Sequence, residues 1–295
     1  MDDLNINWFP GHMTKALRMM RANLKLVDVV IELLDARIPA SSANPVMNEL
    51  LEGKPRIVAL NKADLADPEW TKKWISHFSA QGLKVVALDS MTGSGTKALV
   101  SQVEQLGAAK AGKLVAKGVT ARAVRAMILG IPNVGKSSLI NKLKGVHVAK
   151  TADKPGVTRG KQWIKIGSNL ELLDTPGVLW PKFEDPQVGF RLAITGAIKE
   201  DIYDTEKVMV HMLSLLRVQY SERLIERYNL ESPLPEDTTA LLDLIGKRRG
   251  CLRSGGLIDY EQTRRLILKE FRTTKLGNFT LDRPGDKHDV IRVKE

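Results

Sequence analysis

Short apolar runs recur in the first part of the chain, and each run ends in a polar or glycine-rich segment. The runs at 57–60, 84–88, 119–129 and 170–173 have the length and composition of buried strands. Residues 137–143 follow a glycine-rich turn and place apolar side chains at helical spacing. This succession predicts a doubly wound, mostly parallel α/β sheet, which we expect to form a domain over residues 1–182.

The pattern changes after residue 182. Five segments then carry apolar side chains three or four positions apart and are bounded by glycine, proline or aspartate: 188–198, 205–216, 221–228, 238–246 and 259–271. Such short helices with few strands predict a small all-helical domain, which we expect to span residues 183–295.

The first chemical motif follows the 119–129 strand, where residues 130–137 read G-I-P-N-V-G-K-S. A strand, a glycine-rich turn and a helix are the context that a phosphate-binding loop (P-loop) requires. Lys136 would place its charge on the β- and γ-phosphates, and Ser137 would offer its hydroxyl to Mg²⁺. Backbone N–H groups at the helix start would face the phosphates. We expect nucleotide contacts from Asn133, Val134, Gly135, Lys136, Ser137 and Ser138. A chance glycine-rich turn is the alternative.

A second motif, Asp174-Thr175-Pro176-Gly177, ends the 170–173 strand. Asp174 could hold a magnesium-bound water there, and the N–H of Gly177 could approach the γ-phosphate. The tetrapeptide alone is a weak signal because aspartate and glycine are common at turns. It gains weight by following a P-loop.

A third motif, Asn61-Lys62-Ala63-Asp64, ends the 57–60 strand. Asp64 can accept two hydrogen bonds from the N1–H and exocyclic amine of guanine, a donor pair that adenine lacks. The 84–88 strand ends in a similar loop, in which Ser90 is a candidate for a second base contact. Together with the P-loop, these residues predict a site for GTP and GDP.

Residues 150–160 lie between the P-loop and Asp174 and have the composition of a mobile loop. A threonine there would complete the Mg²⁺ shell, and we choose Thr158 over Thr151. The alternative is a surface loop with incidental threonines.

The order of the motifs is unusual, because the guanine-reading motif precedes the P-loop. Ordinary GTPases have the opposite order, so the sequence indicates a circular permutation. A doubly wound sheet tolerates this change because domain termini tend to lie close together at the surface.

Further segments make the resemblance specific. Residues 8–13 read W-F-P-G-H-M, residues 35–39 read D-A-R-I-P, and residues 250–256 read G-C-L-R-S-G-G. With the ordered motifs above, the chain closely resembles the bacterial circularly permuted GTPases of the YlqF (RbgA) type. The resemblance covers most of the chain, and only the linkers and the last twenty or so residues look unconstrained. It implies a GTPase that acts on a precursor of the large (50S) ribosomal subunit.

The resemblance also addresses a gap in the catalytic machinery. Many GTPases place a glutamine after the glycine of the second motif to orient the attacking water, but Val178 stands here. The resemblance implies that His12 replaces it, which gives His12, Lys136 and Gly177 as catalytic candidates. His12 could instead anchor its loop or contact RNA. Asn133 resembles an asparagine that helps to bind K⁺ in related GTPases, although it could equally be a turn residue of left-handed geometry.

Charge and composition add a partner. The whole net charge of +11 lies in residues 1–182, whereas residues 183–295 are balanced overall. Within the second domain, however, basic residues cluster toward the end and could neutralise RNA phosphates: Lys247, Arg248, Arg249, Arg264, Arg265, Lys269 and Arg272. A solvated basic face is the alternative. The single cysteine and the absence of a signal sequence lead us to expect a soluble, cytoplasmic protein without a membrane or DNA partner, acting as a monomer.

We therefore expect a GTPase that couples hydrolysis to a late step of large-subunit assembly and to its own release. Two alternatives stay open. The chain could be a nucleotide-gated RNA-binding scaffold with little turnover, which the missing glutamine favours, or a permuted GTPase that acts on another RNA.

Overall fold

The computed structural model describes residues 18–51, 53–115, 122–145, 163–173, 185–286 and 289. These residues fall into two compact units. One unit comprises residues 185–279, and the other contains the sheet and the remaining described residues. In the part of the chain that is described, no helix has the length and hydropathy needed to span a membrane.

Six strands form one sheet: β1 (Val29–Asp35), β2 (Arg56–Asn61), β3 (Lys84–Ala87), β4 (Val124–Leu129), β5 (Trp163–Ile166) and β6 (Leu170–Leu173). Their spatial order is β3-β2-β1-β4-β6-β5. Neighbouring strands pair in parallel except β5 and β6, which are antiparallel. The predicted mostly parallel α/β sheet is confirmed, although β4 begins only at Val124.

Strand β1 was not predicted, because Glu32 interrupts its apolar run. Every residue of β1 is nevertheless buried, as expected for an inner parallel strand covered on both faces. Burial raises the pKa of Glu32, while the nearby Arg56 guanidinium, 3.2 Å away, opposes that shift. The partner that makes a buried glutamate tolerable thus comes from the neighbouring strand β2.

Helices that accompany the sheet in the described part of the chain include α1 (Pro45–Leu50), α2 (Pro68–Ala80), α3 (Thr96–Val115) and α4 (Lys136–Lys144). Residues 18–24 are also helical. Helix α2 begins with a proline after Asp67, whose side chain accepts hydrogen bonds from two first-turn N–H groups. Its buried Trp74 and Phe78 pack with side chains of β1 and β2. A second apolar cluster joins Met20 and Leu24 to β4.

Five helices build the other unit: α5 (Pro186–Thr195), α6 (Thr205–Gln219), α7 (Ser221–Tyr228), α8 (Thr238–Arg249) and α9 (Tyr260–Arg272). Aspartate side chains cap the N-termini of four of them, α5, α6, α8 and α9. Left-handed Gly196, Asn229 and Gly250 end α5, α7 and α8. These signals are local, which is why the helical part was readable from the sequence.

The predicted division of the chain needs one correction. The described residues from Thr280 onward, 280–286 and 289, belong to the sheet-containing unit and not to the helical unit. Thr280 and Asp282 are fully buried, and the Asp282 carboxylate accepts hydrogen bonds from the N–H and hydroxyl of Ser41 at 2.7 and 2.8 Å. The Leu281 N–H donates to the Arg37 carbonyl at 2.7 Å. Residues 280–282, which lie in the stretch that looked unconstrained, are therefore a tightly bonded return segment.

Candidate nucleotide-binding site

The described motif residues meet at one edge of the sheet. Asn61 ends β2, Ser90 lies just beyond β3, and Gly130 follows β4 directly. Because β1, β2, β3 and β4 are parallel, their carboxyl ends share this edge. The order of the sheet reverses between β1 and β4, and such a switch point is where open α/β sheets bind ligands.

Asn61 connects the base-reading loops to the P-loop. Its fully buried side chain donates from Nδ2 to the Val134 carbonyl at 2.7 Å and to Ser90 Oγ at 3.1 Å. Its Oδ1 accepts from the Ser90 N–H at 3.0 Å. One asparagine therefore joins three loops that are far apart in sequence, and it places Ser90 beside the base-reading motif, where the predicted base contact of Ser90 remains a prediction.

The P-loop has the geometry that phosphate binding requires. Gly135 adopts a φ of 104°, and a Cβ placed there would lie 2.3 Å from Nδ2 of Asn61. Only glycine fits this backbone conformation and this close approach. Gly135 also offers no side chain to cap α4, and a helix start without a side-chain cap is the kind of position at which backbone N–H groups can bind an anion.

Lys136 folds over this loop. Its ammonium donates to the carbonyls of Gly130 and Ile131 at 3.0 and 2.7 Å, and the residue is buried. The adjacent Ser137 is exposed at the helix start, and Ser138 is partly buried. Lys136 and Ser137 thus sit beside one another where the phosphates of a bound nucleotide would meet the N-terminus of α4.

Lys62 forms a second bridge across the site. Its ammonium donates to Oδ2 of Asp35 and to the Asn133 carbonyl, both at 2.9 Å. Asp35 is also paired with Arg37. Burial alone would raise the pKa of Asp35, but the positive charges of Arg37 and Lys62 outweigh it and hold that pKa well below its ordinary value. Sequence reasoning noted Asp35 and Arg37 only as part of a family segment.

Asp64 is exposed at the same edge. Partial burial and the negative charge of Asp89 raise its pKa. Burial alone would also raise the pKa of Asp89. Hydrogen bonds from Thr92 and from the Met91 N–H outweigh this effect, so the pKa of Asp89 is lowered. The two neighbouring carboxylates therefore differ in proton affinity, and Asp64 is the one that takes up a proton more readily.

Several predicted site residues lie outside the described part of the chain: His12, Thr158, Asp174 and Gly177. Their proposed roles remain predictions. Asn133 is described and has a φ of 57°, so it adopts the left-handed conformation that was one of its two interpretations.

Comparison with known proteins is consistent with this geometry. The chain is 53% identical to the ribosome biogenesis GTPase A of Priestia megaterium over 289 residues, which cover 98% of this chain and 100% of that protein. The chain belongs to the ribosome biogenesis GTPase A family. Its member from Thermotoga maritima is 30% identical over 95% of both chains. A family model described as 50S ribosome-binding GTPase matches residues 125–241.

Solved structures of this family agree with the fold. The GNP-bound YlqF from T. maritima superimposes with a TM-score of 0.65 at 27% identity, covering 92% of this chain and 99% of that one. The GDP-bound structure gives the same TM-score at 26% identity. The chain is therefore a GTPase with the circularly permuted P-loop fold, and its base-reading motif precedes its P-loop as the sequence predicted.

Several of the predicted RNA-binding arginines have partners within the helical unit, and their contacts with RNA remain a prediction. Arg272 donates to the carbonyls of Ile194 and Ala193 at 2.9 Å each and pairs with Glu200, so it caps the end of α5. Arg249 donates to the buried Glu270 at 3.0 Å.

Arg264 and Arg265 are also paired, with Glu206 at 3.3 Å and with Glu261 at 2.6 Å. The Arg264 side chain is only 20% exposed, whereas that of Arg265 is 71% exposed. Helical spacing within α9 could not reveal the acceptors Glu206 and Glu200, because both residues precede α9 by more than fifty positions. The predicted cations that remain exposed are Lys247, Arg248, Arg249, Arg265 and Lys269.

Proposed function

We propose that this GTPase binds a precursor of the large ribosomal subunit and couples GTP hydrolysis to a late assembly step and to its own release. The observation that carries the proposal is the match to ribosome biogenesis GTPase A proteins over nearly the full length of both chains. A match limited to the sheet-containing unit would support GTP hydrolysis alone, because many GTPases share that unit.

The phosphate chemistry is assigned to the P-loop. Lys136 and the first-turn N–H groups of α4 bind the phosphates, where the developing negative charge needs stabilisation. The exposed hydroxyl of Ser137 is a hard oxygen donor suited to Mg²⁺, and Thr158 and Asp174 would complete the set. Bound Mg²⁺ would neutralise charge between the β- and γ-phosphates. A K⁺ ion near Asn133 would act similarly, and hydrolysis should then be faster in K⁺ than in Na⁺.

Water positioning is assigned to His12. Val178 has no hydrogen-bonding side chain, whereas a histidine near neutrality can orient or deprotonate water. A His12→Ala change should then reduce turnover and leave GTP affinity unchanged. Unchanged turnover would favour the scaffold interpretation, in which binding and not hydrolysis is the function.

The RNA contact is assigned to the exposed cations of α8 and α9. Lys247, Arg248, Arg249, Arg265 and Lys269 would bind phosphates, and we leave Arg272 out of this proposed set because its guanidinium already donates to carbonyls at the end of α5. The chain runs from Gly177 into the helical unit over a few residues. Loss of the γ-phosphate at Gly177 could therefore change how the helical unit binds RNA. Equal RNA affinity with GDP and with a non-hydrolysable GTP analogue would refute this coupling.

The deciding experiment measures GTP turnover in potassium buffer with and without purified large ribosomal subunits. We expect subunits to stimulate turnover strongly. Replacing Lys247 and Arg248 with glutamate should reduce subunit binding and its salt dependence, because each lost phosphate contact removes one released counterion. The matched control replaces Lys72 and Lys73, two exposed cations of α2, in the same way. GTP binding without stimulation would favour the scaffold or another RNA.

A further inference from the structure

A buried carboxylate lies at the end of β1, between the guanine-reading motif and the P-loop. The Asp35 side chain is 3% exposed and is in contact with two cations. Its Oδ1 accepts from the backbone N–H and Nε of Arg37 at 3.1 and 2.9 Å. Its Oδ2 accepts from Nη2 of Arg37 at 2.7 Å and from Nζ of Lys62 at 2.9 Å. Oδ1 therefore binds Arg37 alone, whereas Oδ2 binds both Arg37 and Lys62 of the guanine-reading motif.

Lys62 needs such a partner because its backbone is in an uncommon conformation. Its φ is 60°, and left-handed geometry is rare for a residue other than glycine, asparagine or aspartate. Residues held in this region require surrounding contacts to fix them. The described contacts of the Lys62 ammonium are the Asp35 carboxylate and the Asn133 carbonyl of the P-loop. Asp35 therefore holds the lysine that ties the base-reading loop to the phosphate-binding loop.

Arg37 makes this arrangement stable. A buried carboxylate without counter-charges would take up a proton, and a neutral carboxyl would bind the ammonium less strongly. The Arg37 side chain is itself 3% exposed, and its backbone carbonyl accepts from the Leu281 N–H of the return segment. Asp35 and Arg37 thus form a buried ion pair behind the site, and the partly exposed Lys62 joins it through its ammonium.

We propose that Asp35 is a positioning residue for guanine nucleotide binding, which acts by fixing Lys62 against the P-loop. The proposal rests on the nucleotide site described above and adds a residue outside its sequence motifs. Asp35 need not touch the nucleotide. Its effect on affinity should pass through the Lys62 ammonium, and this separates positioning from a general contribution to folding.

The test is a double-mutant cycle read out as GDP and GTP affinity. Asp35→Asn keeps the size and the acceptor for the Arg37 N–H but removes the charge that binds Lys62. Since charge-assisted hydrogen bonds are among the strong ones, we expect affinity for both nucleotides to fall about tenfold. Lys62→Met removes the ammonium and keeps an aliphatic stem. In that background Asp35→Asn should change affinity by less than about twofold.

Asp28→Asn is the matched control. Asp28 is a buried carboxylate at the other end of the same chain segment, and Arg122 binds it at 2.8 and 3.0 Å. This variant should lower the unfolding temperature without changing nucleotide affinity.

Equal losses of affinity from Asp35→Asn with and without the Lys62 ammonium would overturn the proposal, and so would unchanged affinity in the single variant. Failure of the unaltered protein to bind GDP would refute the nucleotide site itself, which is a different result.

Discussion

Replacing Asn61 with alanine should damage both the stability of the sheet-containing unit and its affinity for guanine nucleotides. The side chain is fully buried and makes three hydrogen bonds, one to the Val134 carbonyl and two to Ser90. Alanine removes all of them. The Val134 carbonyl and the Ser90 N–H then lose a buried partner, and the P-loop is no longer joined to the base-reading loops.

The magnitude follows from the two backbone groups. A buried polar group without a partner costs about 1–3 kcal/mol, so the two together should lower the free energy of unfolding by about 2–6 kcal/mol. Ser90→Ala removes only the hydroxyl acceptor and keeps the other two bonds, so it should cost about 1 kcal/mol. Asn48→Ala is the matched control, because this asparagine accepts a hydrogen bond from the Arg56 side chain, lies away from the nucleotide site and is only partly buried. It should also cost about 1 kcal/mol.

The assay is urea unfolding followed by tryptophan fluorescence. No tryptophan lies in residues 183–295, so the signal reports on the first part of the chain and not on the helical unit. The slope of the transition should be the same in all variants if stability alone has changed. GDP affinity, measured by calorimetry on the folded fraction, should fall for Asn61→Ala and stay unchanged for Asn48→Ala.

This reasoning is refuted if the loss of unfolding free energy depends on the residue type replaced and not on the hydrogen bonds removed. If Asn61→Ala and Asn48→Ala cost the same, the three buried hydrogen bonds add nothing beyond a generic asparagine. If Asn61→Ala destabilises the protein but leaves GDP affinity unchanged, Asn61 supports the fold without organising the site.

Three further predictions concern other parts of the chain. GDP affinity should fall as the pH is lowered toward the ordinary aspartate pKa, because protonated Asp64 loses an acceptor for guanine. Partial burial and the charge of Asp89 raise the pKa of Asp64, so the loss should begin above that ordinary value and Asp89→Asn should move its midpoint to lower pH. A calorimetric titration with an unmoved midpoint would contradict this assignment. Asp282→Ala should lower the urea midpoint reported by tryptophan fluorescence, because it removes the acceptor of two buried Ser41 hydrogen bonds. An unchanged midpoint would mean that the return segment does not stabilise the sheet-containing unit. Arg272→Gln should lower the unfolding temperature of the helical unit, measured by circular dichroism, while binding large subunits normally, because Arg272 caps a helix; loss of binding at unchanged stability would restore it to the RNA surface.

The features that could be read from the sequence are those whose chemistry lies in one contiguous segment. The P-loop, with Gly135 and Lys136, needs only a strand, a turn and a helix start, all within a few residues. The helices after residue 185 can be predicted from apolar residues at helical spacing and from capping aspartates such as Asp204 and Asp237. The circular permutation can also be recognised in the sequence, because it changes only the order in which the motifs follow one another.

Other features could not be read because their partners are distant along the chain. Strand β1 was missed since Glu32 looks incompatible with burial until Arg56 of β2 is placed beside it. Arg272 looked like an RNA contact until its acceptors at the end of α5 were known. In both cases the fold supplies a partner within the protein that is distant along the chain.

The sequence by itself determined the class of the fold, the order of its motifs and the nucleotide that it binds. The tertiary structure decided how those motifs are tied together. It brought the Asp35 carboxylate to the Lys62 ammonium, placed the Asn61 side chain between the P-loop and Ser90, and buried Asp282 beside Ser41. The reason is physical: helix caps and turns are satisfied by neighbours in sequence, but a buried charge or amide takes whichever partner the order of the strands brings within about 3 Å.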